Sequence, residues 1–553
     1  MNIVNDIQSA IQYYQSGDLK QSKFFCEKIL KLQPHNAEVL YFLGIIEAQL
    51  KNYDLSINYI QSSLAINPAN AEAYLALGAS FQHKGNIDDA IAYYQKTVHM
   101  NPNSAEAFDA LGYAFQIKGN PVESETYYRH SVKINPDNYV SCQNILFLML
   151  YNYRYSTENI FSEHLQFADH FEKPLLSHIT SYTNDKTLQR RLRICYISPD
   201  FRKHPVAYFI EPVLAAHNRK QFEVFCYSLV LTEDDVTKRL QEHTDHWRNI
   251  HGISDENAAE LIRKDGIDIL IDLAGHTSNN RILLFARKPA PVQISWIGYL
   301  ATTGLSTMDY KIVDSYTNPP GITEQFYTEK LLRLPESLWC YMPDKDSPEV
   351  AQLPALRAGY ITFGSFNNFM KISYETVSVW STILQSVPDS RLLLKTLFFY
   401  DTTICQNIVD MFAHRGIAAE RIVLLPWETS PKHLESYNLI DIGLDTFPFN
   451  GGATTCEAMW MGVPVITLAG TAYHSRIGAS LLSNIGLPEL VAKTYAEYIK
   501  IAVQQAGDIE NLRALRERMR EMMAHSPLTD SKRFIDNLEN AYRQIWQNWC
   551  LSV

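Results

Sequence analysis

The stretch Phe449–Pro464, FNGGATTCEAMWMGVP, sets Gly451, Gly452, Ala453, Thr454 and Thr455 ahead of a helical run that stops at Gly462 and Pro464. Glycines let a ligand approach the backbone, and the first amides of a helix lack intrahelical acceptors, so such a turn cradles a diphosphate-like anion. The two threonine hydroxyls add donors. The same residues fit equally well a plain turn followed by a threonine-capped helix. Neither GxGxxG nor GxxxxGK[ST] is present, which disfavours dinucleotide and P-loop readings. Glu457, read as lying in the first helical turn, would repel a phosphate and suits a ribose hydroxyl.

Four further residues have types that do chemistry. Lys371 follows the strand-like ITFGSF, with Asn367 and Asn368 between them; an ammonium there pairs with phosphate on a departing nucleotide, or is a solvated surface charge. His433, in WETSPKHLESYN, stands near a helix start, where an imidazole stacks on a base, hydrogen-bonds it, or simply caps the helix. His204 follows the first strand of the α/β region in ISPDFRKHPVAYF, and His276 with Thr277 follows another in IDLAGHTSNNR. An imidazole titrating near its ordinary value of about 6.5 serves as general base for a hydroxyl. Strand ends of one parallel sheet converge on one crevice, which favours a shared site over two unrelated structural histidines.

The elements that must carry these residues are short β-branched runs alternating with helical stretches beyond residue 190. LRICYIS, FEVFCYSL, IDILIDLAG, VQISWIGY and YKIVDS read as buried parallel strands, and AAELIRKDG as a crossover helix ending at Gly266. After a charged, proline-containing gap near 343–358 come YITFGSF, SRLLLKTL, RIVLLPW, LIDIGLD and PVITLAG. Two Rossmann-like halves facing a cleft are expected, 191–345 and 346–553, with the last amphipathic helix packing back across them. Asp344-Lys345-Asp346 lies in the gap and reads as a solvated loop, not a cation site.

The first part follows another rule. Prolines at 34, 68, 102 and 136 recur every 34 residues, and Gly44, Gly78 and Gly112 keep that register. So do the aromatics Phe25, Tyr59, Tyr93 and Tyr127 and the small residues Ser22, Ser56, Ala90 and Ser124. Each unit reads as two helices in close approach, ended by proline. The pattern resembles the tetratricopeptide repeat, about four units over 1–138, the first departing by Ala10 in place of glycine. Such units stack into a solenoid whose groove holds a peptide or protein. Residues 139–190 read as capping and linker helices.

Composition excludes some classes. A net charge of −11 gives no basic footprint for a nucleic-acid partner. Eight cysteines without a CxxC pair indicate neither a zinc site nor a disulfide framework, and fit a reducing compartment. The amino terminus has no signal-peptide grammar and ILFLMLY is too short to cross a bilayer, so a cytoplasmic protein without a membrane span is expected.

Repeats followed in order by SPDFRKHPVAYF, DLAGHT, PVQISWIGY, TTGLSTMDY, FNNFMK, NGGATTCEAMWMGVPV and SRIGASLL resemble the O-linked N-acetylglucosamine transferase / SPINDLY family over nearly the whole chain. The resemblance implies a tetratricopeptide solenoid joined to a GT-B fold. The implied activity is inverting, metal-independent transfer of N-acetylglucosamine from UDP-N-acetylglucosamine, without a cofactor, to Ser or Thr of a protein held by the repeats. It implies His204 as base, Lys371 and Asn368 on the donor, and His433 beside the base. Gly452, Ala453 and Thr454 fall on the diphosphate and Glu457 on the ribose; His276, Thr277 and Tyr208 are possible acceptor or sugar contacts. Gly-Ala-Thr stands where animal members have His-Thr-Thr, and Tyr208 where they have a second histidine, which leaves GDP-fucose open as an alternative donor. A nucleotide-sugar-binding scaffold without catalysis is the alternative of another class.

Overall fold

Glycine at every thirty-fourth position has a packing reason visible in the computed structural model, which describes residues 3–552. Helices α1 (Ile3–Gln15), α2 (Leu19–Leu32), α3 (Ala37–Gln49), α4 (Tyr53–Ile66), α5 (Ala71–His83), α6 (Ile87–Met100), α7 (Ala105–Ile117) and α8 (Pro121–Ile134) form four successive pairs. A Cβ added at Gly44, Gly78 or Gly112 would lie 2.5 Å from Ile60, 2.5 Å from Tyr94 or 2.8 Å from Tyr128. Glycine therefore lets the second helix of each pair seat a large side chain against the first. In the first pair Ala10 belongs to the same buried cluster as the small Cys26, which holds the register position of Ile60, so the missing glycine is matched by a smaller knob. Ser22, Ser56, Ala90 and Ser124 are fully buried. Phe25, Tyr59, Tyr93 and Tyr127 are only partly buried; the fully buried ring is the next residue, Tyr94 or Tyr128. Asn36, Asn70 and Ser104 cap α3, α5 and α7 at the same period.

The chain divides into two units, Met1–Leu148 and Met149–Val553. In the second, the helix Thr157–Phe171 precedes a seven-stranded sheet: β1 (Leu192–Ser198), β2 (Phe222–Ser228), β3 (His246–Asn249), β4 (Ile269–Asp272), β5 (Val292–Ser295), β6 (Tyr310–Asp314) and β7 (Lys330–Leu334). Its order is β3-β2-β1-β4-β5-β6-β7, and every pairing is parallel. A six-stranded sheet follows: β8 (Thr362–Ser365), β9 (Arg391–Thr396), β10 (Ile422–Pro426), β11 (Ile442–Leu444), β12 (Val465–Leu468) and β13 (Val491–Ala492). Its order is β10-β9-β8-β11-β12-β13, again parallel. Both are doubly wound sheets of Rossmann-like type. Strand order reverses between β1 and β4 in one and between β8 and β11 in the other, and ligands bind beyond the carboxyl ends of strands at such switch points.

The helix Ser531–Leu551 follows the second sheet in sequence yet packs on the first. Tyr542 Oη lies 3.2 Å from Tyr196 Oη on β1, and Glu539 lies 2.9 Å from His217 Nδ1. No helix of the described residues is long and apolar enough to cross a membrane, and no disulfide joins any of the described cysteines.

Candidate active site

The turn at 449–455 springs from β11, beside the loop that leaves β8, at the switch point of the second sheet. Asp445, fully buried, organises it: the carboxylate accepts from Thr446 N (2.9 Å), Gly451 N (2.6 Å) and Thr467 Oγ1 (2.6 Å). Burial raises its pKa to about 6 against the opposing pull of these hydrogen bonds and of Lys371. Asn450 donates to the Thr446 carbonyl (2.9 Å). A Cβ at Gly451 would lie 2.5 Å from Thr455 Oγ1, 2.9 Å from Thr454 Oγ1 and 3.0 Å from Asn367 Oδ1, so only glycine fits.

The helix begins at Ala453 and ends at Trp460, so Ala453, Thr454 and Thr455 belong to the helix and not to the turn ahead of it. Its cap is Gly452, with no side-chain cap bond. The threonine-cap reading is therefore corrected: Thr454 Oγ1 donates to Asn367 Oδ1 at 3.0 Å, and Thr455 is buried. Gly451 N–H is occupied by Asp445, whereas the amides of Gly452, Ala453 and Thr454 have no acceptor among the described residues. Three free donors at one helix start form an anion site. Glu457 lies in the second helical turn, not the first, clear of these amides.

Lys371 ends the short helical turn Phe369–Lys371 after β8. Its Nζ donates to the Asn450 carbonyl at 2.7 Å and stands 4.5 Å from the centre of the Phe449 ring. Burial lowers its pKa to about 8, Asp445 opposing; at neutral pH it is a poorly solvated cation fixed to the turn. Asn368 is exposed and its side chain folds back onto Met370 N. Its neighbour Asn367 is the buried residue that joins the β8 loop to Thr454 and, through Nδ2 at 3.5 Å, to Asp445. A small open pocket lies here, with Asn367, Asp445, Thr454 and Tyr437 in its walls.

One helical turn along, Glu457 Oε2 lies 3.1 Å from His433 Nε2 and from Tyr437 Oη. His433 is buried with Nδ1 unpartnered, and its ring centre lies 4.0 Å from that of Trp427.

The first half supplies the opposite wall. Trp339 lies against Gly452, where an added Cβ would be 3.1 Å from the indole, and packs on Phe209 at 4.7 Å. Tyr208 is half-buried; its pKa is raised to about 12 by burial first, then by the Glu457 charge, which places the phenol in that carboxylate's field. His204 leaves β1 at the first switch point with 35% of its side chain exposed. Burial lowers its pKa to about 4, Arg202 adding to the effect, so the ring is neutral at pH 7. Its Nδ1 accepts from Val206 N at 3.3 Å and lies 3.6 Å from Asp200 Oδ2, leaving the ring proton on Nε2 in this arrangement.

His276 is buried; one ring nitrogen is 2.8 Å from the Thr303 carbonyl and the other is unpartnered. Thr277 closes its own turn by donating to the Ala274 carbonyl. His276 thus braces the loop after β5, and Thr277 the turn after β4. Asp344 accepts from Ser430 and from Asp346 N. Sequence reasoning missed Asp445, whose one signal was an acid closing the apolar run LIDIGLD, and Trp339, which meets the turn only through the tertiary fold.

Family comparisons agree with this architecture. The model described as Glycosyl transferase family 41 matches residues 146–345 and 350–538, and the tetratricopeptide repeat model matches 10–71 and 75–139. A Petunia hybrida protein named as a probable UDP-N-acetylglucosamine–peptide N-acetylglucosaminyltransferase, SPINDLY, is 41% identical over 413 residues, covering 74% of this chain and 44% of that protein. The UDP-N-acetylglucosamine–peptide N-acetylglucosaminyltransferase of Caenorhabditis elegans is 27% identical over 476 residues, covering 65% and 41%. This chain thus spans less than half the length of either relative. A solved lysine-to-methionine variant of the Thermobaculum terrenum O-GlcNAc transferase superposes with TM-score 0.78 at 33% identity, over 100% of this chain and 98% of that one. With the family model matching well over half of its residues, the chain belongs to glycosyl transferase family 41.

Proposed function

We propose that the protein is an inverting O-glycosyltransferase that moves N-acetylglucosamine from UDP-N-acetylglucosamine to a Ser or Thr hydroxyl of a protein presented by the repeats. The observation that carries this reading is the trio of free amides at Gly452–Thr454 beside the half-buried Lys371 ammonium. The diphosphate lies on those amides, Glu457 meets the ribose and His433 the base. The acceptor oxygen attacks the anomeric carbon; the bond from that carbon to phosphate breaks, and its electron pair leaves on UDP. Lys371 and the amides meet the developing charge from fixed positions.

His204 takes the hydroxyl proton. For Nε2 to do so, the ring proton must pass to Nδ1, with Asp200 as its partner, as in other base–carboxylate pairs. The chain's own cationic and amide donors perform the charge stabilisation, so turnover is expected to persist in a chelator.

The test is a donor panel of UDP-N-acetylglucosamine, GDP-fucose and UDP-glucose incubated with the full chain and a bacterial or plant lysate, read by mass spectrometry of the lysate proteins. An N-acetylhexosamine adduct on Ser or Thr supports the reading. A deoxyhexose adduct moves the donor to GDP-fucose, and nucleotide binding without any adduct favours a scaffold.

A further inference from the structure

The ring of Phe449, which leads into the glycine turn, is shared by two side chains from distant parts of the sequence. Lys371 Nζ stands 4.5 Å from its centre, and the Tyr151 ring stacks on it with centres 4.8 Å apart and planes inclined by 11°. An overlying ammonium and a stacked ring both use the aromatic face, so together they fix the plane of Phe449. Tyr151 and Phe449 are both buried. His474 closes another side: its ring centre lies 5.7 Å from that of Phe449, and its carbonyl accepts from Asn450 N at 3.0 Å. Tyr151 reaches this place from the stretch LYNYRYS, ahead of the helix Thr157–Phe171. The buried Asn152 holds the turn that presents it, its side chain accepting from Arg154 N at 3.1 Å and its carbonyl from Tyr155 N at 3.1 Å.

Resting on the proposed nucleotide site, we propose that Tyr151 is a positioning residue for donor binding: its ring holds Phe449 under the Lys371 ammonium, which fixes Nζ beside the free amides of Gly452–Thr454 and keeps water from it. A lysine side chain is flexible and its ammonium strongly hydrated, so with Phe449 free to tilt it would turn toward solvent. The same cover explains why burial outweighs the pull of Asp445 and lowers the Lys371 pKa to about 8. The other titratable groups around this assembly keep their charge in alkali. Asp445 titrates at about 6 and His474 at about 4. Burial raises Tyr151 itself and Tyr498, whose hydroxyl donates to the Asp445 carbonyl. Glu375, on the helix after Lys371, acts on Tyr495 and raises it further.

The experiment is calorimetric titration of the full chain with UDP and with GDP from about pH 7 to about pH 10, the span over which a desolvated ammonium loses its proton. Wild-type affinity for the tighter nucleotide is expected to fall above about 8, where Lys371 is neutralised. Tyr151→Ala and Tyr151→Leu, their folding verified by thermal unfolding, are expected to bind about tenfold more weakly at neutral pH. Their alkaline fall should come at least about one pH unit higher, toward the ordinary lysine value of about 10.4, because the ammonium regains water. Tyr151→Phe keeps the stack and should restore both values. Ionisations of the nucleotide itself are common to every variant and cancel in the comparison. Should alanine unfold the chain, leucine keeps most of the apolar volume and carries the test. Weaker binding with the alkaline fall unmoved makes Tyr151 a purely structural residue; that result, or Tyr151→Phe behaving like Tyr151→Ala, overturns the inference and leaves the proposed function standing. Wild-type binding without an alkaline fall, or no binding of either nucleotide, overturns both.

Discussion

Lys371 Nζ donates to the carbonyl of Asn450 at 2.7 Å, so the cation after β8 is tied to the residue that opens the glycine turn after β11. The two loops of the switch point thereby present one site: fixed positive charge from one, free amides from the other. Burial without a bonded carboxylate is unfavourable for an ammonium, and its pKa of about 8 expresses that cost.

Replacing this lysine separates function from stability. Lys371→Met is expected to lower turnover by about 1,000-fold or more, the scale for losing a preorganised charge at a leaving group. Its thermal stability should hold or rise, by up to about 2 kcal/mol, since a desolvated charge is removed. A differential scanning measurement showing a loss of several degrees would make Lys371 a structural residue.

The pH profile follows from the same group. Lys371 is protonated below about 8 and neutral above it, so donor kcat/KM, which reports the free enzyme, should fall up to tenfold per pH unit above that value. On the acid side Asp200, raised by burial to about 6, is neutralised first, so kcat should begin to fall as pH drops through about 6, and protonation of His204 itself removes the base only below about 4. Lys371→Arg should flatten the alkaline limb. A profile still rising at pH 9 contradicts the assignment.

Much of this site was legible before the fold was known. Glycine pairs, an isolated lysine after a strand and histidines after strands are chemical types at strand ends, and parallel α/β alternation dictates where those ends converge. Ten strands matched their apolar runs. HWRN (β3), at the sheet edge, and KLLRL (β7) escaped because charge interrupts their patterns, and β13 because two residues carry no periodicity. The helix start was misplaced because a glycine cap leaves no side-chain signal, and Asn367 was passed over for Asn368 because two adjacent asparagines differ only in which one the loop turns inward. Trp339 meets Gly452 across more than a hundred residues of sequence, a contact that no local spacing encodes.

Gly451→Ala tests the turn without touching charge. Its methyl would come within 2.5 Å of Thr455 Oγ1, forcing the hydroxyls and the Asn367 contact apart. Expected are a destabilisation of about 1–3 kcal/mol by denaturant titration and nucleotide affinity at least tenfold weaker. Unchanged affinity would place the nucleotide away from this turn.

His204 and Asp200 form the acceptor side. His204→Ala should abolish sugar transfer to protein while slow donor hydrolysis persists, since the donor site is intact. Asp200→Asn should lower kcat about tenfold to a hundredfold with little effect on donor KM, as removal of a positioning carboxylate does. Equal loss of transfer and donor binding would remove both from the proposed roles.

Gly78→Ala probes the repeats through its 2.5 Å clash with Tyr94. A loss of about 1–3 kcal/mol is expected, and the second change Tyr94→Cys, copying the Ala10–Cys26 solution, should recover part of it in a double-mutant cycle.

A crystal structure of the full chain with UDP or GDP shows directly whether the glycine turn and Lys371 hold the diphosphate. Phosphate oxygens are expected at about 3 Å from the amides of Gly452, Ala453 and Thr454 and from Lys371 Nζ. A nucleotide bound elsewhere, or Lys371 still bonded only to Asn450 with no phosphate in reach, would contradict this placement.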